Sequence, residues 1–178
     1  MALIEELERA GAVASAHGEV SGVLAAESVT GGRAYLIALG EGEARTWLVL
    51  DEALVRVDDR ALVREIASVV VLCELAAELA GGGRLEELRA ELVRLRMTEQ
   101  PEGIEGAEEA ALELERVIGA PPRVASPAYL DEVGTATRAL EHALGEHESP
   151  FANALASATG TVEAFVAEVE SRQALPLR

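Results

Sequence analysis

The stretch Thr30-Gly31-Gly32-Arg33-Ala34-Tyr35-Leu36-Ile37-Ala38-Leu39-Gly40-Glu41-Gly42-Glu43-Ala44-Arg45-Thr46-Trp47-Leu48-Val49-Leu50 decides the fold class. Two short apolar runs, Arg33–Leu39 and Ala44–Leu50, are bounded by Gly-rich turns, which is the signature of strands joined as hairpins. Thr30-Gly31-Gly32 is the stronger turn, because glycine enters positive φ without a steric cost. Alternation puts Thr46, Leu48 and Leu50 on one face of the second run and Arg45, Trp47 and Val49 on the other. A preceding run from Glu19 to Val29 is a third strand. His17-Gly18 turns into it from Ala12–Ala16, which reads as extended, and Leu54–Val57 offers a further strand after Asp51-Glu52. The expectation is an antiparallel meander of three to five strands. So small a sheet needs cover on one face, and the helices that follow it can supply that cover.

Outside this stretch the periodicity changes to that of helices. Residues 2–10 form a short helix with Leu3, Leu7 and Ala10 on one side. Asp58 or Asp59 supplies an N-cap for a helix reaching about Ala80, with Leu62, Ile66, Val69, Val70, Cys73 and Leu79 as its apolar face. From Ile66 to Cys73 only Ser68 is polar, so the middle of this helix is enclosed on most sides. Gly81-Gly82-Gly83 ends it. The next helix, 84–97, carries Leu85, Leu88, Leu92 and Leu95 at spacings of a two-heptad seam, too short for an independent coiled coil and suited to packing in a bundle. A linker at 99–103 contains Pro101. A helix over 104–118 turns Ala107, Ala111, Leu114 and Ile118 inward, and Pro121-Pro122 blocks its continuation. Ser126-Pro127 and Ser149-Pro150 each start a helix with a cap and proline at favoured positions. The first is lined by Leu130, Val133, Thr137, Leu140 and Leu144 and closed by Gly145. The second carries Phe151, Leu155, Ala158, Val162, Phe165 and Val169, and Pro176 marks the tail. The fold class is therefore α+β: a small antiparallel β-meander near the N-terminus followed by a mainly α-helical bundle. Residues 1–58 hold the short helix and meander, and 59–178 the helical region packing on it, as one domain or as two lobes.

The chain has 178 residues with 32 acidic and 15 basic side chains, a formal charge of -17. The basic residues are all Arg, and no Lys occurs. Clustered cations are what neutralise phosphates. Here the Arg residues are scattered among acids, so neither nucleic acid nor an anionic membrane is an expected partner. Apolar residues at 49% support a folded core. The single Cys73 permits no intrachain disulfide, and it reads as a buried thiol in a reducing compartment. Glu5, Glu6 and Glu8 interrupt any signal-peptide pattern, and the run from Ile66 to Cys73 is far too short to span a bilayer. The expected location is cytoplasmic.

Candidates for chemistry are few. His142 and Glu146 are four apart and would share a helix face able to bind a metal, but Gly145 interrupts that helix. The Glu-x-x-His spacing of di-iron bundles is absent, and a solvated helix end with His142 near the negative dipole is the alternative. His17 reads as a turn residue. The segment from Glu99 to Glu115 holds seven Glu and no Arg. It is a solvated face or a docking surface for a basic partner. No Gly-x-Ser-x-Gly elbow or P-loop occurs, and without Lys there is no Schiff-base chemistry, pyridoxal-phosphate anchor or Ser-Lys pair.

Ala26-Glu27-Ser28-Val29-Thr30-Gly31-Gly32 resembles the Ala-Glu-Ser-x-Thr-Gly-Gly stretch of the CinA C-terminal family of nicotinamide mononucleotide amidohydrolases. The resemblance implies Ser28 as nucleophile, with Thr30, Gly31 and Gly32 shaping a phosphate pocket. It spans seven residues; that family's Gly-Pro-x-Gly-Gly stretch, its downstream Lys and its continuing α/β alternation have no counterpart here. At the level of fold alone, a helix and three strands at the start of a small acidic chain look like type III secretion chaperones, which dimerise and bind unfolded segments. The leading expectation is a non-enzymatic protein acting by association, as a homo-oligomer or partner-binding module, without a cofactor. One alternative is a small-molecule or metal-binding protein, with such an amidohydrolase as its enzymatic form. The other is a chaperone-like protein that binds unfolded segments.

Overall fold

The computed structural model of the protein describes residues 2–98 and 104–175. The linker expected at 99–103 and the tail at Pro176 lie outside these residues. The fold is α+β, as the sequence predicts. Helix α1 (Leu3–Ala14) precedes strands β1 (Val20–Glu27), β2 (Arg33–Leu39) and β3 (Thr46–Asp51). Six helices follow: α2 (Arg60–Gly81), α3 (Arg84–Thr98), α4 (Ile104–Ile118), α5 (Pro127–Leu144), α6 (Pro150–Ser157) and α7 (Thr159–Ser171).

The sheet is an antiparallel meander of order β1-β2-β3. Glu27 pairs with Arg33 beside the first turn, where Gly31 takes a φ of +86°, and Leu39 pairs with Thr46 beside the second. Two expected strands do not form. Residues 12–14 continue α1, because Ala10 and Ala14, one helical turn apart, are both fully buried against the sheet. Beyond β3 the Asp51 carboxylate accepts the N–H groups of Ala53 and Val55 and closes a turn that brings the chain back along β3. There residues 55–57 make only an isolated Leu50–Arg56 bridge flanked by two backbone hydrogen bonds instead of a strand.

The chain forms two compact units. One gathers α1, the sheet, α2 as far as Val71, the segment Arg123–Pro127 and, from Val162, α7. The compact grouping thus crosses the 58/59 boundary drawn from sequence. In this unit Tyr35, Ile37, Leu39, Leu48 and Leu50 pack with Ala10 and Ala14 of α1. Alternation turns Leu36, Trp47 and Val49 to the other face. There Trp47 meets Phe165 of α7 edge-on, with ring centroids 5.3 Å apart, and its Nε1 donates to Glu168. So the helix before the sheet packs on one face, and α7 meets the other at Trp47. Both outer strands are partly closed as well: Ala125 adds to β1 through two backbone hydrogen bonds, and Arg172 and Ala174 add to β3 at Trp47. Such additions occupy edge groups that would otherwise template further pairing.

The second unit contains α2 from Leu72, α3, α4, α5 from Ala128, and α6. Leu88, Leu92 and Leu95 of α3 are buried, as are Ala107, Ala111, Leu114 and Ile118 of α4, as expected from spacing, while Leu85 at the start of the α3 seam is only partly buried. Tyr129, Val133, Thr137, Leu140 and Leu144 form the buried side of α5. The single helix expected from Ser149-Pro150 onward is instead two, interrupted at Ala158. The apolar spacing runs on across the break, so periodicity alone does not reveal it. No single helix among the described residues is long and apolar enough to cross a membrane. The bent pair α2–α3 meets that test only together, across a 53° break, and its apolar seams are buried within the protein.

Candidate functional site

Ser28 lies within the one enzyme-like string of the sequence. It is only 7% exposed, at the end of β1. Its hydroxyl shares a hydrogen bond with Thr30 Oγ1 at 2.8 Å and accepts the Gly32 N–H at 3.2 Å. The backbone closes the same turn: Ser28 N–H donates to Gly32 O and Gly31 N–H to Ser28 O. The Val29 N–H donates to Glu65 of α2. An activated serine needs a general base within hydrogen-bond reach. Among the described residues, the partners of Ser28 Oγ are Thr30 and Gly32, both within the turn. The arrangement fastens a hairpin.

His142 is exposed in the last turn of α5. The helix stops at Leu144, and Gly145 takes a φ of +63°, the left-handed conformation that ends helices. Glu146 therefore does not continue the helix face on which His142 lies. Among the described residues no three His, Cys, Asp or Glu side chains gather as a metal site. His17 lies in the turn after α1, and Cys73 is buried on α2.

A polar cleft of about 340 Å³ opens in the sheet-containing unit beside Glu6, Arg33 and Tyr35. Glu6 Oε2 accepts from Arg33 Nη1 at 2.8 Å and from the Tyr35 hydroxyl at 3.3 Å, while Arg33 Nη2 lies 3.7 Å from Glu27. The hydrogen bond from Arg33 holds the Glu6 carboxyl below its usual range against some desolvation. Burial, then the Glu6 charge, pushes the Tyr35 phenol up. The polar atoms here are largely matched with one another, so the set braces α1 against the hairpin.

The helical unit carries a different kind of opening. A slot of about 300 Å³ between α3 and α4 is lined by Leu88, Leu92, Val93, Ala111 and Leu112. Two ion pairs frame it, Arg89 with Glu115 and Arg96 with Glu108, the latter at 3.3 Å. Each pair joins α3 to α4. The partners advance seven residues on α3 and retreat seven on α4, so the helices run antiparallel and the frame is about 10 Å long. Inside it Val93 is 56% exposed and Leu112 63%. Met97, one turn beyond Val93, is 84% exposed.

Isolated exposed apolar side chains need no explanation, and several occur elsewhere, such as Ile4 and Val55. Val93 and Leu112 differ because they flank a common concave apolar surface. Neither belongs to the inward seams that heptad spacing picks out, so the pattern that predicts the core does not predict the slot. The available signal was an apolar residue off the seam on helices otherwise faced with Glu and Arg.

Comparison with protein-family models, with curated proteins and with solved structures finds no match to this chain. The seven-residue likeness at 26–32 is thus not extended by any family match.

Proposed function

We propose that the protein acts by association, with the α3–α4 slot of its helical unit receiving an apolar side chain from a protein partner. The observation that carries this reading is the exposure of Val93 and Leu112 on either side of one apolar groove closed at both ends by ion pairs. Binding hot spots have this anatomy: an anchor side chain in a desolvated apolar pocket within a polar rim. The engagement of Ser28 Oγ within its own turn supports a non-catalytic reading of that residue. The apolar surface expected of a chaperone-like protein, on the sheet or on α2, is largely taken up by packing, since most of β2, β3 and the apolar face of α2 is buried.

Site-specific photocrosslinking tests the proposal. A photoreactive residue at position 93 or 112 should yield a discrete adduct in cells, and adding Leu112→Arg to the position-93 variant should abolish it. The same group at the exposed Ile4 should give none. An adduct of twice the chain mass identifies self-association, and light scattering on the purified protein checks it. Absence of adducts at 93 and 112, or equal labelling from position 4, refutes the slot as the interface.

A further inference from the structure

Resting on that reading, we infer that the occupant of the α3–α4 slot is a cationic amphipathic helix, which seats an apolar side chain between Val93 and Leu112 and sets Lys or Arg against the α4 rim.

The cations around the slot are already matched. Arg89 and Arg96 on α3 are each held by a carboxylate of α4, and Arg116 is held by Glu113 at 2.7 Å. Arg94 is bonded to Glu91 on its own helix. On α4, Glu105 and Glu109 are exposed, and among the described residues neither forms an ion pair. Glu109 precedes Leu112 by three residues and Glu105 by seven, so both lie near Leu112 on α4, with Glu109 on the flank of an adjoining groove that Leu112 also lines. The uncommitted charge around Leu112 is therefore negative. A partner that desolvates Leu112 brings its own flanking groups near these carboxylates, where opposite charge speeds encounter and like charge is penalised.

A second copy of this chain fits poorly. Its own slot would present the same pair of uncommitted carboxylates, so two apposed slots gather four of them, in a chain whose formal charge is already -17. The α-helical walls also disfavour an extended peptide. Within α3 and α4 the backbone groups are satisfied internally, and no strand edge is offered to a partner's main chain. A helix brings its backbone hydrogen bonds with it and recognises a groove through side chains at i, i+3, i+4 and i+7. The frame spans about two helical turns, which matches that spacing.

Fluorescence anisotropy with designed peptides of about four turns tests this. One probe carries Leu anchors at i and i+4 with Lys flanks. A second has the same anchors with Glu flanks, and a third is the Lys form broken by a central Pro. The Lys helix should bind the full chain more tightly than either other probe, and added salt should weaken it. Glu105→Gln with Glu109→Gln should weaken the Lys helix about fivefold, the worth of two exposed ion pairs, and reduce its salt dependence. Leu112→Ser should remove binding altogether. Circular dichroism confirms that these exposed substitutions leave the fold intact. Equal or tighter binding of the Glu helix that is still lost in Leu112→Ser overturns the cationic partner while leaving the slot as an interface. Lys-helix binding untouched by Leu112→Ser, or equal binding of the Pro-broken probe, overturns the helix-in-slot inference. If no probe binds and positions 93 and 112 also give no crosslinks, the association reading falls with it.

Discussion

Glu6 shows how one residue acquires a role that its position in the chain does not disclose. In sequence it is one of three acids interrupting an N-terminal apolar run. In the fold its carboxylate is shared by Arg33 and Tyr35 of β2, and the Arg33 hydrogen bond lowers its pKa. A carboxyl held lower in the folded state stabilises the fold above its ordinary range, about pH 4.3, and loses that contribution as pH falls through its folded value. Glu6→Gln should therefore have a lower melting temperature than wild type at neutral pH, and the two curves should converge on acidification below pH ~4. A constant offset down to strong acid would show that Glu6 acts through packing alone. Ser28 makes the converse point. Its neighbours in sequence resemble a nucleophile's, but whether a hydroxyl is activated depends on which base lies next to it in space. Here the neighbours are Thr30 and Gly32.

At the scale of elements, local chemistry was legible wherever it was strong. Asp59 accepts the Ala61 N–H at the start of α2, Pro127 and Pro150 open α5 and α6, and Gly145 follows the end of α5 in the left-handed conformation. The clearest cap is Ser149, which is buried and accepts the Ala152 N–H at 3.2 Å. Ser149→Ala should destabilise the protein by about 1 kcal/mol, the usual worth of a serine N-cap. Ser149→Asp, which keeps an acceptor at a helix start, should recover part of that in chemical denaturation. Loss of the same magnitude in both variants would assign the effect to tight burial. Element limits were harder to read where two patterns overlap. Ala12–Ala16 is compatible with strand or helix, and burial of Ala14 on the sheet resolves it as helix. The interruption at Ala158 leaves the apolar spacing of Phe151 through Val169 undisturbed; it falls close to where the chain passes between compact units.

For the whole molecule, charge is the governing quantity. Thirty-two acids against fifteen Arg leave more carboxylates than the surface ion pairs can match. Exposed pairs contribute about 0–1 kcal/mol each, whereas a net charge far from zero disfavours the compact state through self-repulsion. Raising salt from low values to about 0.3 M shortens the screening length below ~10 Å. It should therefore raise the melting temperature. A falling melting temperature would mean that the Arg–Glu pairs outweigh the repulsion.

The sequence by itself determined the α+β class, the hairpin turns, most helix starts and the seams that face inward, because periodicity and capping act within a few residues of chain. It also determined the acidic balance and the absence of Lys. Tertiary structure alone decided that α1 and α7 take opposite faces of the sheet. It likewise decided that Ser28 fastens a turn, and that His142 and Glu146 are parted by a helix end. The α3–α4 slot belongs with these. Val93 and Leu112 lie nineteen positions apart on different helices, and two side chains become one surface only when packing sets those helices side by side.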